Sequence, residues 1–133
     1  MDDQSHSSLK PVLRIDFPFE TRLGHGKIEL LEHIRQTGSI AAAGRAMDMS
    51  YRRAWLLVAE MNRMFLMSVV ERQRGGDRGG RASLTPFGEE LILRFRAMED
   101  RMRAALADDL AWLASSTSKH EAATPKDRNQ GQD

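Results

Sequence analysis

Between residues 10 and 19, Leu13, Ile15 and Phe17 alternate with Val12, Arg14 and Asp16, which predicts a short strand with one apolar face. Pro11 and Pro18 place that strand at a sheet edge. Gly24-His25-Gly26 breaks the pattern, and the period then becomes helical at Ile28, Leu31 and Ile34, with Gly38 as the stop. Ser39 is positioned as the N-cap of a second, short helix over residues 40–46, whose small side chains let a neighbour come close. Met47-Asp48-Met49 is a tight connection, and Ser50 is positioned to cap a third helix over residues 51–65. In that helix Ala54, Val58, Met61 and Phe65 fall between about 180° and 240° measured from Arg52, while Leu56 and Arg63 lie within about 40° of it. One face is built for a core and the opposite face carries arginine. Residues 68–74 and 82–85 read as two strands of a hairpin joined by a flexible Gly-rich turn over 75–80. Thr85-Pro86 then opens a long helix, in which Leu91, Phe95, Met98, Met102 and Ala105 follow the 4-3-4-3 spacing of a helix–helix seam. Run continuously over residues 86–113, it would reach roughly 40 Å.

The sequence has 133 residues, 41% hydrophobic and 29% charged, which suits one soluble globular domain. The expected organisation is a flexible arm over residues 1–9, a folded domain over 10–113 and a disordered polar tail over 114–133. There are no cysteines, which excludes a disulfide framework, a thiolate zinc site and a cysteine nucleophile. The start is acidic and polar, and no apolar run approaches membrane-spanning length, so no membrane partner is expected and the cytoplasm is the expected location. Net charge is +1, but its distribution is uneven. Residues 44–81 hold eight arginines against Asp48, Glu60, Glu71 and Asp77, an excess that favours an anionic partner.

The predicted fold is mainly α with a small β-hairpin, a winged helix-turn-helix with a long C-terminal dimerisation helix. Such a fold places the N-terminal turn of the helix over residues 51–65 in the major groove of DNA, where Arg52 and Arg53 would read base edges. Trp55 falls near the buried edge of that helix and is expected to pack inward. Arg72, Arg74, Arg78 and Arg81 surround the wing, and Lys27, Ser39 and Arg45 are candidates for the DNA backbone. Leu91, Phe95, Met98 and Met102 are the candidate dimer contacts. Gly24-His25-Gly26-Lys27 lacks the full spacing of a phosphate loop. His6, His25, His33 and His120 show no metal-ligand spacing, and no nucleophile–base–acid set can be assembled. No metal, cofactor or catalytic residue is therefore assigned, and the chain is not expected to be an enzyme.

Three stretches carry a resemblance: residues 26–34 (GKIELLEHI), 37–43 (TGSIAAA) and 49–58 (MSYRRAWLLV). With the double-glycine wing and Leu84-Thr85-Pro86-Phe87-Gly88, they are similar over about residues 12–100 to the N-terminal DNA-binding domain of the ModE family, bacterial molybdate-responsive transcriptional regulators. The resemblance implies a homodimer that pairs through its first and last helices and sets two recognition helices on a palindromic operator, as a repressor. It also implies that Ser50, Tyr51, Arg52 and Arg53 are the reading end and that Arg78 and Arg81 are wing contacts. Where the family commonly has glycine in the turn, this chain has Asp48, which tolerates a left-handed conformation better than most residues. Family members continue into molybdate-binding domains, whereas a helix and a polar tail follow here, so molybdate control is doubtful. The alternatives are an interaction module that heterodimerises with a full-length relative, or a direct oxyanion or metal sensor.

Overall fold

The computed structural model describes residues 9–73 and 81–118. Residues 1–8 of the expected arm (1–9), residues 74–80 of the wing and residues 119–133 of the expected tail (114–133) lie outside the described residues, while the last helix runs on to Ser115. The chain falls into two units, residues 12–102 and a second that includes residues 103–118.

In the first unit, β1 (Arg14–Phe17) pairs antiparallel with β2 (Thr21–Gly24), with Arg14 opposite Gly24 and Phe17 opposite Thr21. Reading the sequence as a single edge strand missed this partner. Phe19 and Glu20 both take left-handed conformations in the turn, at φ 62° and 59°, and neither residue type signals one. The Thr21 hydroxyl closes the turn by donating to the Pro18 carbonyl at 3.0 Å. The alternation itself is as expected, with Leu13, Ile15 and Phe17 packed against the core.

The chain passes directly from β2 into α1 (His25–Thr37), which Gly38 ends at φ 72°. Ser39 caps α2 (Ile40–Ala46) by accepting from the Ala42 amide at 2.9 Å. Asp48 makes the turn in the left-handed region, at φ 59°, and the Met49 amide donates back to the Gly44 carbonyl at 2.9 Å. Ser50 then caps α3 (Tyr51–Met64) by accepting from the Arg53 amide at 3.0 Å. The helices touch closely at Gly44, where a Cβ would lie 2.9 Å from that of Ala54. Only a residue without a side chain lets α2 and α3 meet at this distance.

Wing strands β3 (Val70–Gln73) and β4 (Arg81–Leu84) pair antiparallel, Val70 opposite Leu84 and Gln73 opposite Arg81. Two fixtures set the wing against the helices. The Asn62 side chain accepts from the Val69 and Val70 amides at 2.7 and 3.1 Å and donates to the Val70 carbonyl at 3.2 Å. The Ala82 amide donates to the Gly38 carbonyl at 3.0 Å. Thr85 then precedes α4 (Pro86–Ala105), accepting from the Gly88 amide at 2.9 Å. The arrangement is a winged helix-turn-helix with an added N-terminal hairpin.

The core gathers Ile28, Leu30, Leu31 and Ile34 from α1, Ala43 from α2, and Ala54 and Met61 from α3. Val69 and Phe95 complete it, and all nine are fully buried. The buried stripe of α4 is Gly88, Ile92, Phe95 and Glu99, turned by about 60° from the predicted seam. Glu99 hides the true stripe from a search for apolar spacing. It is 8% exposed and takes a 2.7 Å hydrogen bond from Arg96, which also reaches Glu32 at 2.7 and 3.0 Å and so ties α4 to α1. The long final helix is not continuous. It ends at Ala105 and, after Leu106, α5 (Ala107–Ser115) begins with Asp108 and Asp109 in its first turn, where acidic side chains suit the helix dipole. α4 alone is roughly 30 Å long.

The Arg96 hydrogen bonds hold the Glu32 carboxyl below the usual carboxylate range. A depressed folded-state value stabilises the fold at pH above the ordinary Glu value and loses that contribution as pH falls through the folded one. Replacing Arg96 by Gln is expected to move the acid-unfolding midpoint to higher pH, measured by circular dichroism. Gly44→Val is expected to lower stability by about 2 kcal/mol, read from chemical denaturation, because the close approach at Ala54 leaves no room.

Candidate nucleic-acid interface

The cap at Ser50 starts α3 at the turn's end, so Tyr51, Arg52 and Arg53 stand exposed on its first turn while Ala54, Val58 and Met61 turn inward. The three leading residues face different ways. Tyr51 lines a concavity of about 240 Å³ with Ser39, Ile40 and Ala41 of the first turn region of α2 and with Arg72, Arg81 and Ala82 of the wing strands. Arg53 faces a groove of about 590 Å³ on the other side, lined also by Arg14, Arg22, Met47, Met49 and Leu57. Arg52 projects between them, opposite the core.

Charge is divided by use. Arg35 is paired with Glu89 at 2.9 Å, Arg94 with Glu90 at 2.6 Å and Arg96 with Glu32 at 2.7 Å. Among the described residues, Arg22, Arg45, Arg52, Arg53, Arg63, Arg72, Arg81 and Arg101 have no such acidic partner and are exposed. Five of them, Arg45, Arg52, Arg53, Arg72 and Arg81, belong to α2, the first turn of α3 and the two wing strands. An exposed guanidinium without a carboxylate is open to a phosphate or a base edge, for which its planar fork is suited.

Three sequence-based assignments change, at Lys27, Trp55 and the candidate dimer contact Phe95. Lys27, a candidate for the DNA backbone, is held inside the fold: its ammonium lies 2.8 Å from Glu60 Oε2, with only 11% of the side chain exposed, joining α1 to α3. Trp55, expected to pack inward, is 38% exposed. Ser39 and Arg81 do meet at one concavity, and Arg45 stands exposed on α2. Arg74 and Arg78 lie outside the described residues. Of the four candidate dimer contacts, Phe95 is fully buried within this chain, whereas Leu91, Met98 and Met102 are half-buried at the edge of the core. Asn62 was not singled out from the sequence, although an asparagine inside a helical pattern is a signal for a side chain bonded to backbone. Among the described residues no group of three or more His, Asp or Glu could hold a metal ion, and no helix is long and apolar enough to cross a membrane.

Comparison with known proteins agrees with this geometry. The family model for the bacterial regulatory helix-turn-helix protein, lysR family, matches residues 25–89, from the start of α1 into the first turn of α4. The molybdenum-pterin-binding protein MopB of Rhodobacter capsulatus is 45% identical over 78 residues, 59% of this chain and 29% of that one. The molybdenum transport protein ModE of Azotobacter vinelandii is 34% identical over 94 residues, 71% of this chain and 35% of its own length. The DNA-binding transcriptional dual regulator ModE of Escherichia coli K12 is 37% identical over 86 residues, 62% and 33% respectively. The chain thus spans about a third of the length of these relatives.

Lys27→Ala is expected to lower stability by about 1–3 kcal/mol, because it leaves Glu60 without its partner. It should leave the salt dependence of DNA binding unchanged. A slope reduced by about one unit would instead return Lys27 to the DNA surface.

Proposed function

We propose, for a chain whose residues 25–89 form a ModE-like helix-turn-helix DNA-binding domain, a role as a sequence-specific transcriptional regulator rather than an enzyme. The observation that carries this reading is the gathering of exposed arginines without acidic partners on α2, on the first turn of α3 and on the wing strands. The major groove accepts one α-helix, and side chains from its N-terminal part reach base edges. Arg52 is the base-reading side chain, with Ser50, Tyr51 and Arg53 around it. Arg72 and Arg81, joined by Ser39 and Tyr51 across the concavity, hold a backbone phosphate, and Arg74 and Arg78 extend the contact from the wing.

A second copy completes the unit. Leu91, Met98 and Met102 keep part of their apolar surface uncovered along one edge of α4. Two copies would present two recognition helices to a palindromic site and act as a repressor by covering it.

The test is fluorescence anisotropy on duplexes from the gene's upstream region and on shuffled controls, over a range of salt. Arg52→Ala is expected to lower the preference for the upstream duplex by about 1–3 kcal/mol. Arg72→Ala or Arg81→Ala should weaken both duplexes alike and reduce the salt slope by about one. Equal affinity of wild type for upstream and shuffled duplexes, or an Arg52→Ala protein with its preference intact, would overturn the assignment.

A further inference from the structure

The recognition helix carries an apolar patch that the arginine-based reading leaves unused. Leu56 is 45% exposed on the side of α3 away from the buried Ala54, Val58 and Met61, and Tyr51 (52%) and Trp55 (38%) are exposed along the flank nearer to them. At 100° per residue, Leu56 lies about 40° from Arg52 on one side and Trp55 about 60° on the other. Three and four residues on, both side chains neighbour Arg52 on the helix surface. Leu56 sits about 6 Å further along the axis, close to two base-pair steps of the duplex. Arg63 shares the same face but lies roughly 16 Å beyond Arg52, at the far end of the helix.

On this geometry, and resting on the reading of α3 as the DNA-reading helix, we propose that Leu56 determines specificity by covering thymine 5-methyl groups next to the base pair read by Arg52. The major-groove edge of thymine offers one apolar group, its methyl, which an aliphatic side chain covers and a polar one does not. The surrounding surface supports this occupant. Arg52 and Arg53 have no acidic partner among the described residues, so the patch is ringed by cations that would draw it onto a polyanion. Leu56 and Arg52 thus make a two-part reader, one part for an apolar base edge and the other for a hydrogen-bonding one.

The experiment uses the full chain and duplexes that it selects from a random-sequence pool. Each thymine of the selected site is replaced in turn by deoxyuridine, which removes only the methyl, and affinities are compared. Wild type is expected to lose about fourfold at one or two positions, the equivalent of one methyl-sized group returned to water. In Leu56→Ala that thymine-to-uridine ratio should fall to about one, while Leu56→Met should retain most of it. Leu56 contributes nothing to the core, so both variants should keep the wild-type melting temperature. Equal wild-type affinity for thymine and deoxyuridine at every position, or a Leu56→Ala protein that still discriminates, overturns the proposal and leaves DNA reading by Arg52 standing. Failure of the wild type to enrich any sequence overturns the DNA-reading function itself, and this proposal with it.

Discussion

The contact of Gly44 with Ala54 sets the geometry on which the candidate interface depends. A Cβ at residue 44 would come within 2.9 Å of the Ala54 Cβ, so α2 and α3 can cross at this distance only with glycine there. The left-handed Asp48 and the Met49-to-Gly44 hydrogen bond return the chain at the required angle. Ser50 then satisfies an amide of the first turn of α3, freeing neighbouring side chains to point outward. With one face of α3 pressed against α2 and the core, Arg52 has nowhere to point but away from the protein. Asn62 extends the same logic to the wing, bonding the backbone of β3 to the body of α3.

Electrostatics divides the molecule into two working parts. On α1 and α4, three arginines face carboxylates: Arg96 bridges Glu32 and Glu99, Arg35 meets Glu89 and Arg94 meets Glu90. These interactions belong to the fold, and both the half-buried Arg96 group and the Arg35–Glu89 pair tie α1 to α4. On α2, α3 and the wing strands, exposed arginines lack acidic partners among the described residues. Concentrating uncompensated positive charge there costs some folding stability through repulsion and gains attraction to a polyanion. Lys27 shows how finely the line is drawn, since it lies near the second region yet belongs to the first through Glu60.

Much of this was legible in the sequence because the helix-turn-helix is assembled from local signals. Ser39 and Ser50 as caps, Gly38 as a stop, Asp48 in the turn and the inward spacing of Ala54, Val58 and Met61 all act within a few residues of themselves. What escaped was non-local or unsignalled. The β1–β2 turn uses Phe19 and Glu20 in conformations that their types do not announce. The buried stripe of α4 includes a glutamate whose burial depends on an arginine one turn away and on α1 across the fold. Lys27 reads as a solvated cation until Glu60, 33 residues later, is placed beside it. Trp55 lay at an angle on the border between the buried and exposed faces of α3, where spacing alone does not decide its exposure.

The central claim is that the outer face of the first half of α3 is covered by DNA. Titrating isotopically labelled protein with a duplex that it binds, and following backbone amide resonances by NMR, tests this directly. The account predicts that the largest changes fall on Ser39, on residues 50–56 and on Arg72 and Arg81, with α1 and the exposed face of α4 little altered. Changes centred on β1–β2 or on α4, with residues 50–56 unmoved, would contradict it.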